Sequence, residues 1–244
     1  MFITTACGSA GGSGSEPSGN APAPPITSAE TFGEEHSGSY HIGPVDFAET
    51  EWHNACAPYP AKIQEIYGPY LAGVDVSLGG DGSLCDACAL ITTGLGKQIV
   101  VRIVTYGVSK APGDMDLSPE AYEHIHGDDP AGTPENPRPM TWKLARCPDS
   151  GNIYLQYQTE ANPWWTSLWV RNGGLPIKQV EVKGANDAGF IALSRTPDGP
   201  FTDNDGFGEG AFELRITGAD DQVITQSYGG FTSGELVETA AQFQ

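Results

Sequence analysis

Residues 111–125 read A-P-G-D-M-D-L-S-P-E-A-Y-E-H-I, and the fold is decided by how this junction is read. Ser118 suits an N-cap, Pro119 the first helical position and Glu120 the first turn, so a helix starts here. Leu117 before the cap and Tyr122 at the fourth helical position make a hydrophobic staple, and Ala121 and Ile125 continue a buried stripe. That staple would hold the backbone beside Asp116, a carboxylate in the loop just ahead of the cap. Asp116 is then either ordinary loop polarity or a group held for ligand binding or catalysis.

Around this junction the pattern is short β-type runs and Gly-rich turns: residues 40–47, 75–78, 88–92, 98–105 and 140–145, with a second short helix at 67–72. Together with the helix after Ser118 they predict a compact barrel. C-P-D-S-G at 147–151 breaks the pattern and reads as an interdomain hinge. Alternation returns at 153–158, 167–171, 178–182, 190–193, 211–216 and 222–226, which suits a small antiparallel sandwich. Arg171-Asn172-Gly173-Gly174 between two apolar runs is a hairpin signal. The expected division is a Gly/Ser/Pro-rich linker over 1–36, a barrel over 37–147 and a sandwich over 148–244.

The chain has 244 residues, 12 Lys and Arg against 31 Asp and Glu, and a net charge of −19. Nucleic acid is excluded as a partner, because phosphate binding needs clustered cations, and an anionic polymer or membrane surface would repel the chain. No apolar run approaches a membrane-spanning length. Ala6-Cys7-Gly8 looks like the end of a bacterial lipoprotein signal with Cys7 as the lipidated residue, although the charged start and long apolar core of such signals are missing. The other four cysteines, Cys56, Cys85, Cys88 and Cys147, suggest two disulfides and an oxidising compartment. A zinc site built on Cys85-Asp86-Ala87-Cys88 is the rival, but it lacks a second close pair.

Three further features bear on function. In Asn162-Pro163-Trp164-Trp165, adjacent residues of a flat strand would point to opposite faces. The pair is either two core tryptophans or, if Pro163 turns the backbone, an aromatic surface for stacking on sugar rings. Asp203-Asn204-Asp205-Gly206 fails the EF-hand pattern and reads as turn chemistry, and His124 and His126 read as surface residues. No nucleophile elbow, phosphate loop or dinucleotide fingerprint occurs, and no metal or cofactor is implied.

Several separate stretches resemble one family. V-T at 104–105, M-D-L-S-P-E-A-Y at 115–122, W-K-L-A-R-C-P-D-S-G-N-I at 142–153, W-W followed by V-R-N at 164–172, and G-A-F-E-L-R-I-T at 210–217 resemble expansins, in particular microbial expansin-like proteins, over roughly residues 38–240. The resemblance implies a mainly β chain: a six-stranded double-psi β-barrel similar to family 45 endoglucanases, then an immunoglobulin-like carbohydrate-binding sandwich. It also implies a secreted protein that loosens cellulose networks without hydrolysis. The cysteine segments 54–56, 85–91 and 146–147 look like those of plant expansins, so Cys56 would pair with Cys85 and Cys88 with Cys147.

Carried over by position, Asp116 is the family's essential barrel carboxylate, and Trp164 and Trp165 are two of the three aromatics of its cellulose-binding line. The third falls near Asp198, so only Phe201 can substitute. Tyr106 replaces the acid of the usual V-T-D, a lysine of the family becomes Gln158, and Gly43-Pro44-Val45-Asp46-Phe47 resembles the barrel's opening G-x-A-T-Y with Asp46 in place of Thr. Hydrolysis normally needs two carboxylates about 5–9.5 Å apart, and Asp116 alone supplies one. The expectation is a non-enzymatic monomer acting on cellulose and related β-glucans. One rival is a glycan-cleaving enzyme, endoglucanase-like or peptidoglycan-lytic, that uses Asp116 with Asp46, Asp114 or Glu49. The other is a pure carbohydrate-binding or adhesion protein whose barrel is only scaffold.

Overall fold

A computed structural model describes residues 23–43, 54–107, 111–126, 138–231 and 236–244. In the first half the strands are β1 (Thr31–Ile42), β2 (Leu71–Asp75), β3 (Cys88–Thr93), β4 (Gln98–Gly107), β5 (Met115–Leu117) and β6 (Arg138–Ala145), with helices α1 (Ile63–Tyr67), α2 (Val76–Gly79) and α3 (Pro119–His126) between them. The six strands close a barrel in the order β1-β5-β2-β4-β3-β6. β4 shows why. Its run I-V-V-R-I-V is buried throughout, with Ile99, Val101 and Ile103 in the barrel core. Val104 packs outside the barrel under α1, and Val100 packs beside Cys88 and Cys147. A strand covered on both faces reads as a continuous apolar run rather than an alternation.

Four local expectations change. The barrel begins at Thr31 rather than 37, and the chain ahead of it is already tied down, with Val100 N–H donating to Ile26 O and Arg146 N–H to Glu30 O, both at 2.8 Å. The expected strand at 75–78 is α2, because the Asp75 carboxylate caps it by accepting from Ser77 N–H at 2.8 Å. The expected helix at 67–72 lies earlier, as α1, and its span runs from the last residue of α1 through a three-residue connection into the start of β2. Met115–Leu117, read as loop, is the strand β5, because it fills the gap between β1 (parallel) and β2 (antiparallel).

The second half comprises β7 (Tyr154–Tyr157), β8 (Thr166–Arg171), β9 (Ile177–Gly184), β10 (Ile191–Ala192), β11 (Ser194–Arg195), β12 (Phe201–Asp203), β13 (Phe212–Gly218), β14 (Val223–Tyr228) and β15 (Leu236–Glu238). A five-stranded sheet, β11-β12-β8-β7-β15, and a four-stranded sheet, β10-β9-β13-β14, share one core. Leu155, Leu168 and Val170 enter it from the first sheet, and Val180, Val182, Leu214 and Ile216 from the second. The 171–174 stretch is not a hairpin: β8 pairs with β7 and β12, whereas β9 pairs with β13 and β10. With Asn172 at φ +58° and Gly174 at φ +68°, the turn instead carries the chain from one sheet to the other.

The halves meet around the segment between Cys85 and Cys88. Disulfides join Cys56 to Cys85 and Cys88 to Cys147, which excludes the zinc alternative for these cysteines. Between them Asp86 adopts φ +64°, and its carboxylate accepts from Tyr59 O–H at 3.0 Å and pairs with the fully buried Arg171 of β8. Arg171 also donates to Pro58 O at 2.8 Å and to Gln156 Oε1 at 3.0 Å. Arg102 of β4 donates to Asp86 O at 2.8 Å and pairs with Asp149 in the C-P-D-S-G segment, which makes that segment a pinned joint rather than a hinge. Burial opposes the Arg171 charge, but the Asp86 carboxylate together with Tyr59 and Tyr67 outweighs it and raises its pKa. Burial, and then the same carboxylate, push the Tyr59 phenol well above its usual range, so it remains a hydrogen-bond donor.

Removing one partner of a buried pair leaves the other charge uncompensated. Arg171→Met should therefore lower the stability of the full chain by about 3–5 kcal/mol. Chemical denaturation of parent and variant measures it, and a loss below about 1 kcal/mol would show that the pair does not hold the halves together.

Candidate functional site

Strand pairing places Asp116. In β5, Met115 and Leu117 are fully buried in the core, so the alternating Asp116 between them faces outward and is half-buried. Ser118 fixes the end of the strand: its hydroxyl donates to Pro69 O at 2.6 Å and accepts from Leu71 N–H at 3.1 Å and from Ala121 N–H, in the first turn of α3, at 3.4 Å. Leu117 and Tyr122, the expected staple, pack into the same core cluster. Across the sheet Asp116 is in register with Gly73 of β2, which is in register with Thr105 of β4. Thr105 Oγ1 accepts from Ala55 N–H at 2.9 Å.

On the β1 side the residue in register with Asp116 is His41. Its Nε2 lies 3.4 Å from Asp114 Oδ2, and Asp114 Oδ1 accepts from Ser39 N–H at 2.8 Å. His41 and Asp114 are 6% and 5% exposed, so both oxygens of Asp114 are engaged away from solvent. Asp114 orients His41 and is not placed to act as base or nucleophile on a glycan in an open groove. Tyr106 also falls elsewhere than expected. It is in register with Val74, itself in register with Met115, and it packs against the core cluster, so it shares Met115's side of the sheet rather than Asp116's.

The two tryptophans differ: one is exposed and the other packs against the core. A turn closed by the Asn162–Trp165 bridge holds Trp164 63% exposed, whereas Trp165 is half-buried against the sandwich core. The turn is fixed from both sides. Asn162 Oδ1 accepts from Trp164 N–H at 3.0 Å, and Gly208 N–H donates to Pro163 O at 2.8 Å. Gly206, at φ +71°, presses against this turn so closely that a Cβ there would sit 2.2 Å from Pro163 O. The 203–206 loop read as turn chemistry is therefore a buttress for the aromatic turn. Phe201 cannot replace the missing aromatic: it is 3% exposed in the sandwich core, beneath the Arg195 guanidinium.

Asp46, Glu49 and Cys7 lie outside the described residues. Sequence reasoning did not assign His41, Asp86 or Arg171 any role. For His41 a signal was present in S-Y-H-I, where Tyr40 is the core residue and its neighbour must face the other way. Among the described residues no group of three or more His, Cys, Asp and Glu side chains is placed to hold a metal ion, and no helix is long and apolar enough to cross a membrane.

No protein-family model matches the chain. Expansin-like protein 6 of Dictyostelium discoideum is 24% identical over 211 residues, which are 82% of this chain and 72% of that protein. Expansin-like protein 3 of the same organism is 26% identical over 209 residues, 82% of this chain and 61% of the relative. Among solved structures, a point variant of Clavibacter michiganensis expansin in complex with cellohexaose matches with a TM-score of 0.70 at 20% identity, covering 86% of this chain and 98% of that one. The likeness is to expansins, in sequence and in fold. The ligand-free Clavibacter expansin matches nearly as well, with a TM-score of 0.69 at 21% identity, so the shared mainly β architecture is found with and without bound sugar.

The unequal burial of the tryptophans gives a direct expectation. Trp164→Ala should change stability by no more than about 0.5 kcal/mol, as at an exposed site. Trp165→Ala should cost about 1–3 kcal/mol, less than the 3–5 of a fully buried ring. Thermal unfolding of the two single variants checks it, and equal losses would contradict the division.

Proposed function

We propose that this chain is a secreted, monomeric, non-hydrolytic expansin-like protein that loosens cellulose networks by binding β-glucan. In this reading the closed barrel is a double-psi barrel, the two-sheet unit is an immunoglobulin-like carbohydrate-binding domain, and the two disulfides suit an oxidising compartment. What carries it is that the chain holds both an outward-facing carboxylate, Asp116, and an exposed indole, Trp164, each on a backbone locked from both sides.

Trp164 stacks on a pyranose face, and Asp116 accepts hydrogen bonds from glucan hydroxyls that otherwise bond the neighbouring chain. Each charge-assisted bond contributes about 1.5–3 kcal/mol and stacking adds about as much, so binding on the order of millimolar is expected, weak enough to release and re-form along a surface. No covalent step is involved. The net charge of −19 favours a neutral glucan over anionic peptidoglycan. Lipid anchoring through Cys7 remains an expectation about residues outside those described.

The test is extension of cellulosic walls under constant load, with reducing ends measured in parallel on wall, soluble β-glucan and peptidoglycan. Asp116→Asn and Trp164→Ala should each reduce loosening at least about fivefold, roughly 1 kcal/mol of lost contact, with no sugar released by any form. Sugar released by the parent and lost in Asp116→Asn would make the protein a glycan hydrolase. Loosening unaffected by Asp116→Asn would leave only the sandwich active, as in an adhesion protein.

A further inference from the structure

The exposed indole of Trp164 is flanked by acids. Glu160, in the chain entering its turn, and Asp205 and Glu209, in the segment that buttresses it, are all exposed. Their backbones are tied to the turn. Glu160 O accepts from Asn162 Nδ2–H at 3.2 Å, and Asp205 N–H donates to Asp203 Oδ1 at 2.9 Å just ahead of Gly206. Glu209 follows Gly208, whose N–H holds Pro163 O. Neither residues 154–170 nor residues 196–210 include a Lys or Arg. The nearest cation along the chain, Arg171, is committed to Asp86 at the joint between the halves. Among the described residues the side chains of Glu160, Asp205 and Glu209 make no ion pair.

A recess of about 260 Å³ adjoins the turn, with Pro58, Gln156, Gln158, Glu160, Trp169 and Asp198 among its lining residues. It is smaller than pockets that enclose whole drug-sized ligands, so it fits one ring of a longer polymer. Gln156 is engaged at both ends: its Oε1 accepts from Arg171 Nε at 3.0 Å and its Nε2 donates to Pro58 O at 3.1 Å. Trp169 Nε1–H donates to Asp198 O at 3.0 Å, and Asp198 Oδ1 accepts from the Thr196 hydroxyl at 2.7 Å. The Gln158 amide and the Glu160 carboxylate are left without side-chain partners among the described residues, and the charged lining residues, Glu160 and Asp198, are both acidic.

We propose that the Trp164 turn and the recess beside it select a β-1,4-glycan whose sugars carry free amino groups, a glucosamine polymer of the chitosan type, over the neutral glucan. The inference rests on the glucan-binding reading of Trp164 and names the sugar that this face prefers. A glucosamine polymer offers the same flat pyranose faces for stacking, with an ammonium at the edge of each ring. Successive sugars are turned over, so the ammonium groups leave the chain alternately from its two edges, and the carboxylates around Trp164 come from two separate segments. A neutral glucan can offer those carboxylates hydroxyls but no charge. The indole itself attracts a cation to its face, and a concave surface of one sign concentrates the opposite charge.

The test measures binding of three hexamers to the full chain by calorimetry at about pH 5.5, where amines are cations and carboxylates anions. They are β-1,4-linked glucosamine, its N-acetylated form and cellohexaose. In dilute buffer the glucosamine hexamer should bind at least about fivefold more tightly than cellohexaose, and the N-acetylated hexamer should show no such gain. Raising sodium chloride from about 20 to about 500 mM should cut the gain at least about threefold. Glu160→Gln combined with Glu209→Gln should bring the preference below about twofold. Glu34→Gln combined with Glu35→Gln removes the same charge from the irregular stretch of β1 on the barrel and should keep it. A preference lost equally in both double variants would assign it to the net charge of the whole chain and overturn the proposal. Equal affinity of the parent for the glucosamine hexamer and cellohexaose would also overturn it, while leaving the glucan reading standing. Binding of the glucosamine hexamer alone, lost in Trp164→Ala, would defeat the neutral-glucan reading and support selection of the amino glycan. Absence of binding by every hexamer defeats both.

Discussion

The buried pair of Asp86 and Arg171 is the constraint on which the two-part architecture depends. Arg171 ends a strand of the sandwich, and Asp86 lies between two disulfide-bonded cysteines on the barrel, so neither charge is satisfied unless the halves meet. Tyr59, the carbonyl of Pro58 and Gln156 complete the coordination, and Arg102 with Asp149 repeats the arrangement one layer away. Apolar contact would permit many relative orientations. A guanidinium with several directed partners permits few, because a misaligned bond leaves a buried charge unpaired.

This rigidity matters to a protein read as working by contact rather than by chemistry. Weak contacts add usefully only if the surfaces that make them are held in fixed relation, since a loose linker would dilute the second contact to a low effective concentration. The same logic recurs at smaller scale. Asp116 is clamped by strand pairing and by Ser118, and Trp164 by the Asn162 turn and the 203–206 loop. In both places residues that look like candidates for chemistry, Asp114 and the acidic 203–206 loop, are structural supports beside the group proposed to meet the ligand.

Much of this was legible in the sequence. The helix start at Ser118, the apolar run of β4, and the alternation of β7, β9, β13 and β14 follow from local periodicity and capping, which depend only on neighbours along the chain. The resemblance to expansins supplied the disulfide partners and drew attention to Asp116 and the tryptophan pair.

Other features were decided only by tertiary structure, because they arise where segments distant in sequence meet. Three residues, Met115–Leu117, are too few to show a period, and they became a strand only by lying between β1 and β2. Arg171-Asn172-Gly173-Gly174 has the residues of a hairpin, but the direction in which the next strand leaves is set by the two sheets closing on a common core. Nothing in the composition separates Trp164 from Trp165 or buries Phe201; their exposure depends on which side of the turn the core lies. His41 reached Asp114 across more than seventy residues, through a parallel register and a contact between glycines that only the closed barrel creates. Local chemistry determined which elements could form, and the closing of the barrel and the burial of Arg171 determined which side chains met.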